Sequence, residues 1–278
     1  VTQYRERLLS GLDRLWFSPS GQAVRRLAKE TTDLLAPTWC VGCRAAGADL
    51  CAECARDLRL HTSRPFRAEA AAEALPVVGV SDTGVQVLPV VSAGHYQGLA
   101  AETLVAFKDH ERTGLAQVLA PALSRALHLA AQQLLEGQDA LLVWPPTSPR
   151  AQLKRGRTPL AELIEEARLP RSLRRADRLV QHTGQRLGPM GEKGQKSRSG
   201  KARRQAGERF RCRPAAAQRL RGVSVLLVDD VLTTGATLQE LYALLSSAGA
   251  EVHGAAVLMA TPRASAARHH SSSAVNFK

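Results

Sequence analysis

The stretch Val225-Leu226-Leu227-Val228-Asp229-Asp230-Val231-Leu232-Thr233-Thr234-Gly235-Ala236-Thr237 constrains this chain more than any other. Its four leading apolar residues predict a strand buried on both faces, as in a parallel sheet covered by helices. Two adjacent carboxylates follow where that strand should emerge at its carboxyl end. A turn of hydroxyl residues and glycine comes next, and then Leu238, Leu241, Leu244 and Leu245 recur at helical spacing. Strand, small-residue loop and helix N-terminus together make an anion cradle, because unpaired backbone amides and the helix dipole converge on the loop. Thr233, Thr234 and Thr237 add hydroxyl donors, and Gly235 lets the backbone approach a ligand closely.

The pair Asp229-Asp230 suits a different partner. Carboxylates accept hydrogen bonds, so beside a phosphate cradle they fit the vicinal hydroxyls of a sugar, or a magnesium ion. A ribose 5-phosphate satisfies both halves at once. The plainer alternative is a buried strand ending in an ordinary acidic turn. Against it, every position from Val225 to Thr237 resembles the 5-phosphoribosyl 1-pyrophosphate (PRPP) loop of type I phosphoribosyltransferases.

Upstream, Cys40-Val41-Gly42-Cys43 and Cys51-Ala52-Glu53-Cys54 form two Cys-x-x-Cys knuckles separated by seven residues. Each knuckle turns two thiolates to one side, so Cys40, Cys43, Cys51 and Cys54 are candidate ligands of one tetrahedral Zn²⁺. A closed four-thiolate site is structural, with no position left for catalysis. Redox-active or free thiols are the alternative. Cys212 stands apart and is expected to be an inert thiol.

The chain of 278 residues is long enough for one substantial α/β domain and a small accessory module. It has no apolar run long enough to span a bilayer, and residues 1–13 mix charges with leucines rather than forming a signal-peptide core. The expectation is a cytoplasmic protein. Net charge is +13, and residues 171–213 alone carry 14 Lys/Arg against 3 Asp/Glu. Such an excess suits polyphosphate, nucleic acid or simple solubility.

Read in order, residues 1–30 predict a helical extension with an apolar stripe of Leu8, Leu9, Leu12, Leu15 and Trp16. Residues 31–61 hold the cysteine module, and 62–76 read as a connector. A phosphoribosyltransferase-like domain is expected over 62–261, opening with short apolar runs at 77–80 and 87–91. A helix carrying Leu99, Leu104, Val105 and Phe107 ends near Lys108, and a second spans about 114–135. A buried strand, Ala140 to Trp144, is stopped by Pro145-Pro146-Thr147-Ser148-Pro149. A basic turn over 150–157 leads into a helix from Pro159, and 252–259 reads as the last core strand. Residues 184–207 hold six glycines without apolar period and predict a mobile basic loop. Residues 262–278 read as a tail. Alternating strands and helices predict a doubly wound, mostly parallel sheet.

The order Asp33-Leu34-Leu35-Ala36-Pro37, four-cysteine knuckle, Tyr96 to Lys108 helix, Lys154-Arg155-Gly156-Arg157 turn and terminal PRPP loop resembles the ComF family. These are phosphoribosyltransferase-like proteins with an N-terminal zinc module, associated with competence and DNA uptake. The resemblance covers about residues 31–261. Trp144-Pro145-Pro146-Thr147 stands where the family usually has a Val-Pro-Val-Pro type sequence, and Arg155-Gly156-Arg157-Thr158 where it has Arg-Gly-Phe-Asn.

The resemblance implies an enzyme that transfers phosphoribosyl from PRPP to a base or amine. It implies that Asp229 and Asp230 hold the ribose 2′ and 3′ hydroxyls, and that Thr233, Thr234, Gly235, Ala236 and Thr237 hold the 5-phosphate. It further implies Mg²⁺ bridging pyrophosphate and ribose oxygens, with Lys108, Arg155 and Arg157 facing the leaving pyrophosphate. Single-stranded DNA, a DNA-uptake helicase machinery and a second copy of the chain are implied partners. The alternative reading is a non-catalytic nucleotide- or DNA-binding adaptor in DNA uptake built on the same fold.

Overall fold

The computed structural model describes residues 38–82, 84–110, 112–177, 179–183, 209–213 and 218–262. The expected N-terminal helices, the basic loop at 184–207 and the tail beyond residue 262 lie outside them. The chain divides into two compact units between Cys54 and Ala55.

In the first unit, the backbone of residues 38–47 doubles back on itself. Trp39 and Ala46 form an isolated antiparallel bridge, and the Cys40 and Gly47 amides donate to the carbonyls of Ala45 (2.7 Å) and Thr38 (2.8 Å). Gly47 takes a left-handed φ of 99°, which its missing Cβ makes inexpensive. The helix α1 (Ala52–His61) begins at the second knuckle.

The second unit is a three-layer α/β structure. Its strands are β1 (Phe66–Arg67), β2 (Val77–Ser81), β3 (Gly84–Val87), β4 (Val90–His95), β5 (Ala140–Val143), β6 (Leu173–Arg175), β7 (Val180–His182), β8 (Phe210–Cys212), β9 (Ser224–Leu232) and β10 (Glu251–Ala260). Its remaining helices are α2 (Gly98–Asp109), α3 (Ala116–Leu134), α4 (Pro149–Arg155), α5 (Pro159–Glu166) and α6 (Ala236–Ser247). The main sheet has the order β1-β4-β10-β9-β5-β6, parallel throughout except for β1 at the edge.

Burial explains the parallel centre. Val225 and Leu227 of β9, with Ala255 and Val257 of β10, share one core with Leu238, Leu241 and Leu245 of α6. The alternate residues Leu226, Val228, Ala256 and Leu258 are equally inaccessible, so both faces of these strands are covered. The alanine- and leucine-rich side of α3 packs on β4 and β10. At Gly254, where the register with β9 shifts, a Cβ would lie 2.6 Å from Leu134 Cδ1 and 2.7 Å from the Pro89 carbonyl oxygen. Only glycine lets that helix and strand close up.

Chain direction fixes where a ligand can sit. From β5 the chain moves outward to β6, whereas from β9 it moves the opposite way to β10. The strand order therefore reverses between β5 and β9, which opens a crevice outside their carboxyl ends.

Several readings of the sequence need correction. The short apolar run at 77–80 lies outside the main sheet: β2 and β3 form a separate hairpin whose Val77, Val78, Val80, Val85 and Val87 are exposed, and between residues 77 and 91 burial begins at Leu88. The connector at 62–76 contributes the edge strand β1, antiparallel to β4. The basic turn at 150–157 is mostly helix. Ser148 caps α4 by accepting from the Ala151 amide at 3.2 Å, Pro149 enters its first turn, and Gly156 closes it with a φ of 66°. Within the basic segment, β6 joins the main sheet while β7 and β8 pair as an antiparallel ribbon.

Candidate functional site

The carboxylates are the sixth and seventh of the nine residues of β9. The strand continues through Val231 and Leu232, which pair with Met259 and Ala260 of β10. Asp229 is partly buried, and its Oδ1 accepts the Asp230 backbone amide at 2.8 Å. Burial, and then the neighbouring charge of Asp230, push its carboxyl up to about 7, against smaller opposing effects of the Asp230 amide, Lys108 and Arg209. Asp230 points to Lys108 at the end of α2, with Nζ to Oδ2 at 2.7 Å.

Beyond β9 the chain enters α6 through Thr233, Thr234 and Gly235. Gly235 is the N-cap with φ 88°, and the helix start has no side-chain cap hydrogen bond. Thr233, Thr234 and Ala236 are exposed, and Thr237 is partly so. Ala74 donates its amide to the Thr234 carbonyl at 2.8 Å. A Cβ at Gly235 would come 2.9 Å from Leu75 Cδ2. Residues 74 and 75 thus brace the loop from outside, a contact with no local signal in the sequence.

A cavity of about 220 Å³ lies in the crevice between β5 and β9. Its walls include Lys108, Pro146, Thr147, Arg155, Asp229 and Asp230. Lys108 and Arg155, distant in sequence, therefore meet the carboxylate pair at one place. Arg155 also pairs with Asp109, at 2.7 Å through Nη2 and 3.0 Å through Nε.

Arg157 goes elsewhere. Its Nη1 donates to the Phe107 carbonyl at 2.8 Å, its guanidinium lies 4.4 Å from the centre of the Phe107 ring, and it forms a bidentate pair with Glu162. That pairing, with the Thr158 amide, holds the Glu162 carboxyl below its ordinary value. So the two arginines of one short turn grip the residues on either side of Lys108. Sequence alone did not separate these roles, because both arginines read as cations near a phosphate site.

In the first unit, the sulfurs of Cys40, Cys43, Cys51 and Cys54 all lie within 4.8 Å of one another. A tetrahedral Zn²⁺ with Zn–S bonds of about 2.3 Å requires S···S separations of about 3.8 Å, and Cys43 and Cys51 stand at 3.6 Å. Burial raises the Cys40 thiol, but amides of Cys51, Cys43 and Gly42 outweigh it and bring the group to about 6. Contact with Cys51, and then burial, push Cys54 up to about 12. Backbone donors to sulfur, such as the Cys51 amide to Cys40 at 3.3 Å, favour thiolate at Cys40. Four sulfurs at this spacing fit a single zinc ion. Cys212, on β8, is a separate thiol pushed up by burial.

Comparison with known proteins points to the same kind of fold. Residues 153–276 match the family model described as the phosphoribosyl transferase domain. A stretch of 46 residues is 52% identical to the adenine phosphoribosyltransferases of Mycolicibacterium gilvum and Mycolicibacterium vanbaalenii, covering 16% of this chain and 26% of each relative. The adenine phosphoribosyltransferase of Mycobacterium marinum matches at the same identity over 25% of its length. The chain thus spans about a quarter of the length of these curated relatives. The mostly parallel sheet with helices on both faces is an α/β fold of the type I phosphoribosyltransferase kind, preceded in the sequence by the four-cysteine cluster. No helix among the described residues is long and apolar enough to cross a membrane.

Purified protein is expected to carry one zinc per chain by elemental analysis, and Cys43→Ser to lower that content well below one. Folded wild-type protein that stays metal-free under reducing conditions with zinc present would exclude the site. For Asp229, the folded carboxyl near 7 against an ordinary 3.8 means that the native state binds more protons across that window. Its contribution therefore lowers stability as pH rises through it. Asp229→Asn should be more stable than wild type at about pH 8, by about 1 kcal/mol or more, with the gap narrowing towards about pH 4. Equal melting temperatures at both pH values would contradict the burial argument.

Proposed function

We propose that this chain binds PRPP with Mg²⁺ at the carboxyl edge of its sheet and transfers the phosphoribosyl group to a base or amine. One observation carries the reading. An acidic pair, an anion cradle and a lysine bonded to that pair at 2.7 Å converge beside the crevice where strand order reverses.

In this reading Asp229 and Asp230 accept hydrogen bonds from the ribose 2′ and 3′ hydroxyls. The amides and hydroxyls from Thr233 to Thr237 hold the 5-phosphate. Lys108 and Arg155, which line the cavity, face the pyrophosphate and neutralise the charge it gains as the C1–O bond breaks. Mg²⁺, when bound, would supply further neutralisation of the pyrophosphate charge. No protein nucleophile is required: the residues position reactants and stabilise charge. Arg157 acts one step away as a positioning residue, because it fixes the Phe107 carbonyl and ring immediately before Lys108.

The similarity to adenine phosphoribosyltransferases makes adenine the first acceptor to test. A four-cysteine cluster that precedes a domain of this kind in the sequence supports the ComF resemblance. With it come a role in DNA uptake and single-stranded DNA or helicase partners.

Mg²⁺-dependent pyrophosphate release from PRPP, assayed with adenine and simple amines as acceptors, tests the reading. Lys108→Ala should lower the rate by about 10²-fold, the scale for loss of one charge-stabilising donor. Arg157→Ala should reduce kcat with little change in PRPP affinity. Release unaffected by Lys108→Ala would overturn the assignment, and PRPP binding without release would favour the non-catalytic nucleotide-binding alternative.

A further inference from the structure

Of the nine large hydrophobic side chains exposed among the described residues, five are the valines of the β2–β3 hairpin. They are gathered on one side. Val77 stands opposite Val87, and Val80 opposite Val85, and residues directly opposite each other, or two apart on one strand, share a face. Val78, the extra residue at the register shift between Val77 and Gly79, lies two places before Val80 and joins that face. The other face carries the pairs Gly79–Gln86 and Ser81–Gly84, and the Gln86 side chain fills the space over Gly79, its Oε1 lying 3.2 Å from where a Cβ would be. The hairpin thus has a valine face and a small polar face.

Such a hairpin is incomplete by itself. β2 and β3 pair with each other and with no other strand among the described residues. Two strands alone are marginal in water, and an exposed apolar hairpin is a template for further β-structure. Charge narrows what can cover it. Residues 68–107 contain no lysine or arginine, and Asp82, at the hairpin tip, is the one charged residue between Glu73 and His95. A nucleic acid or an anionic membrane is drawn by cations, and the hairpin supplies none. A second copy needs the reverse: two chains of net charge +13 repel each other, and they meet at least cost where the cations are missing.

We propose that the valine face of the β2–β3 hairpin is a self-association surface on which a second copy of this chain docks its own hairpin across a two-fold axis. The face is flat, neutral and β-branched, so it complements itself, and two such layers pack about 10 Å apart, as in a small β-sandwich. A two-fold contact closes at two copies. Five partly exposed valines cover less than the about 800 Å² per partner of a standard interface, so the dimer is reversible, of micromolar strength or weaker. The hairpin is continuous with the brace of the loop before α6. Ala74 and Leu75 meet Thr234 and Gly235, and the Leu88 amide closes the hairpin on the Pro76 carbonyl at 2.8 Å. Docking therefore steadies the segment that holds that loop. The association stands whether or not PRPP is the ligand.

Sedimentation equilibrium of the full chain, reduced and with zinc present, should show a monomer–dimer equilibrium across the micromolar range. Val80→Lys/Val85→Lys sets two cations on the face and should weaken the dimer at least tenfold, whereas Gln86→Lys, on the opposite face, should leave it unchanged. Val80 and Val85 are 79% and 64% exposed, so both variants should keep the wild-type circular dichroism. In the wild type, hydrogen exchange should slow over residues 77–87 as concentration rises, a readout that needs no variant. A chain that stays monomeric, growth past two copies, a dimer indifferent to Val80→Lys/Val85→Lys, or protection that spares 77–87 overturns the proposal. Monomeric wild type that binds phosphatidylglycerol vesicles through these valines overturns it too, and assigns the face to a membrane.

Discussion

Two carboxylates on adjacent residues, within a strand covered on both faces, are electrostatically costly. Burial raises Asp229, and the Asp230 charge raises it further. Lys108 answers that cost from another helix, at 2.7 Å from Asp230. The rest of the site is arranged so that this lysine arrives there. α2 ends at Asp109, Arg157 holds the carbonyl of Phe107, and Arg155 holds the carboxylate of Asp109. A ligand with vicinal hydroxyls and a polyanionic tail would use the same charges, with the hydroxyls replacing the ammonium and the tail recruiting it. The Lys108–Asp230 ion pair keeps the acidic edge from repelling itself.

Much of this was legible in the sequence because burial and periodicity are local signals. Four apolar residues before Asp229 announced a doubly covered strand, and Leu238, Leu241 and Leu245 announced the helix after it. The long helix near residues 114–135 and the strand from Ala140 were equally readable. The cysteine spacing foretold a cluster, since two knuckles need only tight turns to converge. What escaped depended on tertiary contact. Basic side chains over 150–157 masked a short helix whose real signals were Ser148, Pro149 and Gly156. The valines at 77–80 look like core but fold into an exposed hairpin, because whether an apolar strand is buried depends on what is packed over it.

The division of labour between Arg155 and Arg157 shows the same limit at a single turn. Two residues apart and chemically identical, they meet different partners because Gly156 reverses the chain between them. One lines the cavity while the other is largely enclosed by Glu162 and Phe107. Leu75 and Ala74 make the complementary point for the cradle. Their contact with Gly235 and Thr234 spans about 160 residues, and no window of sequence contains it.

The central claim is that Asp229 and Asp230 hold the ribose of a PRPP ligand. Calorimetric titration of folded, zinc-loaded protein with PRPP, with and without Mg²⁺, tests it most directly, alongside the Asp229→Asn/Asp230→Asn variant. The account predicts saturable one-to-one binding that needs both the metal and the carboxylates. Undiminished affinity in the double variant, or no binding to folded wild type, would contradict it.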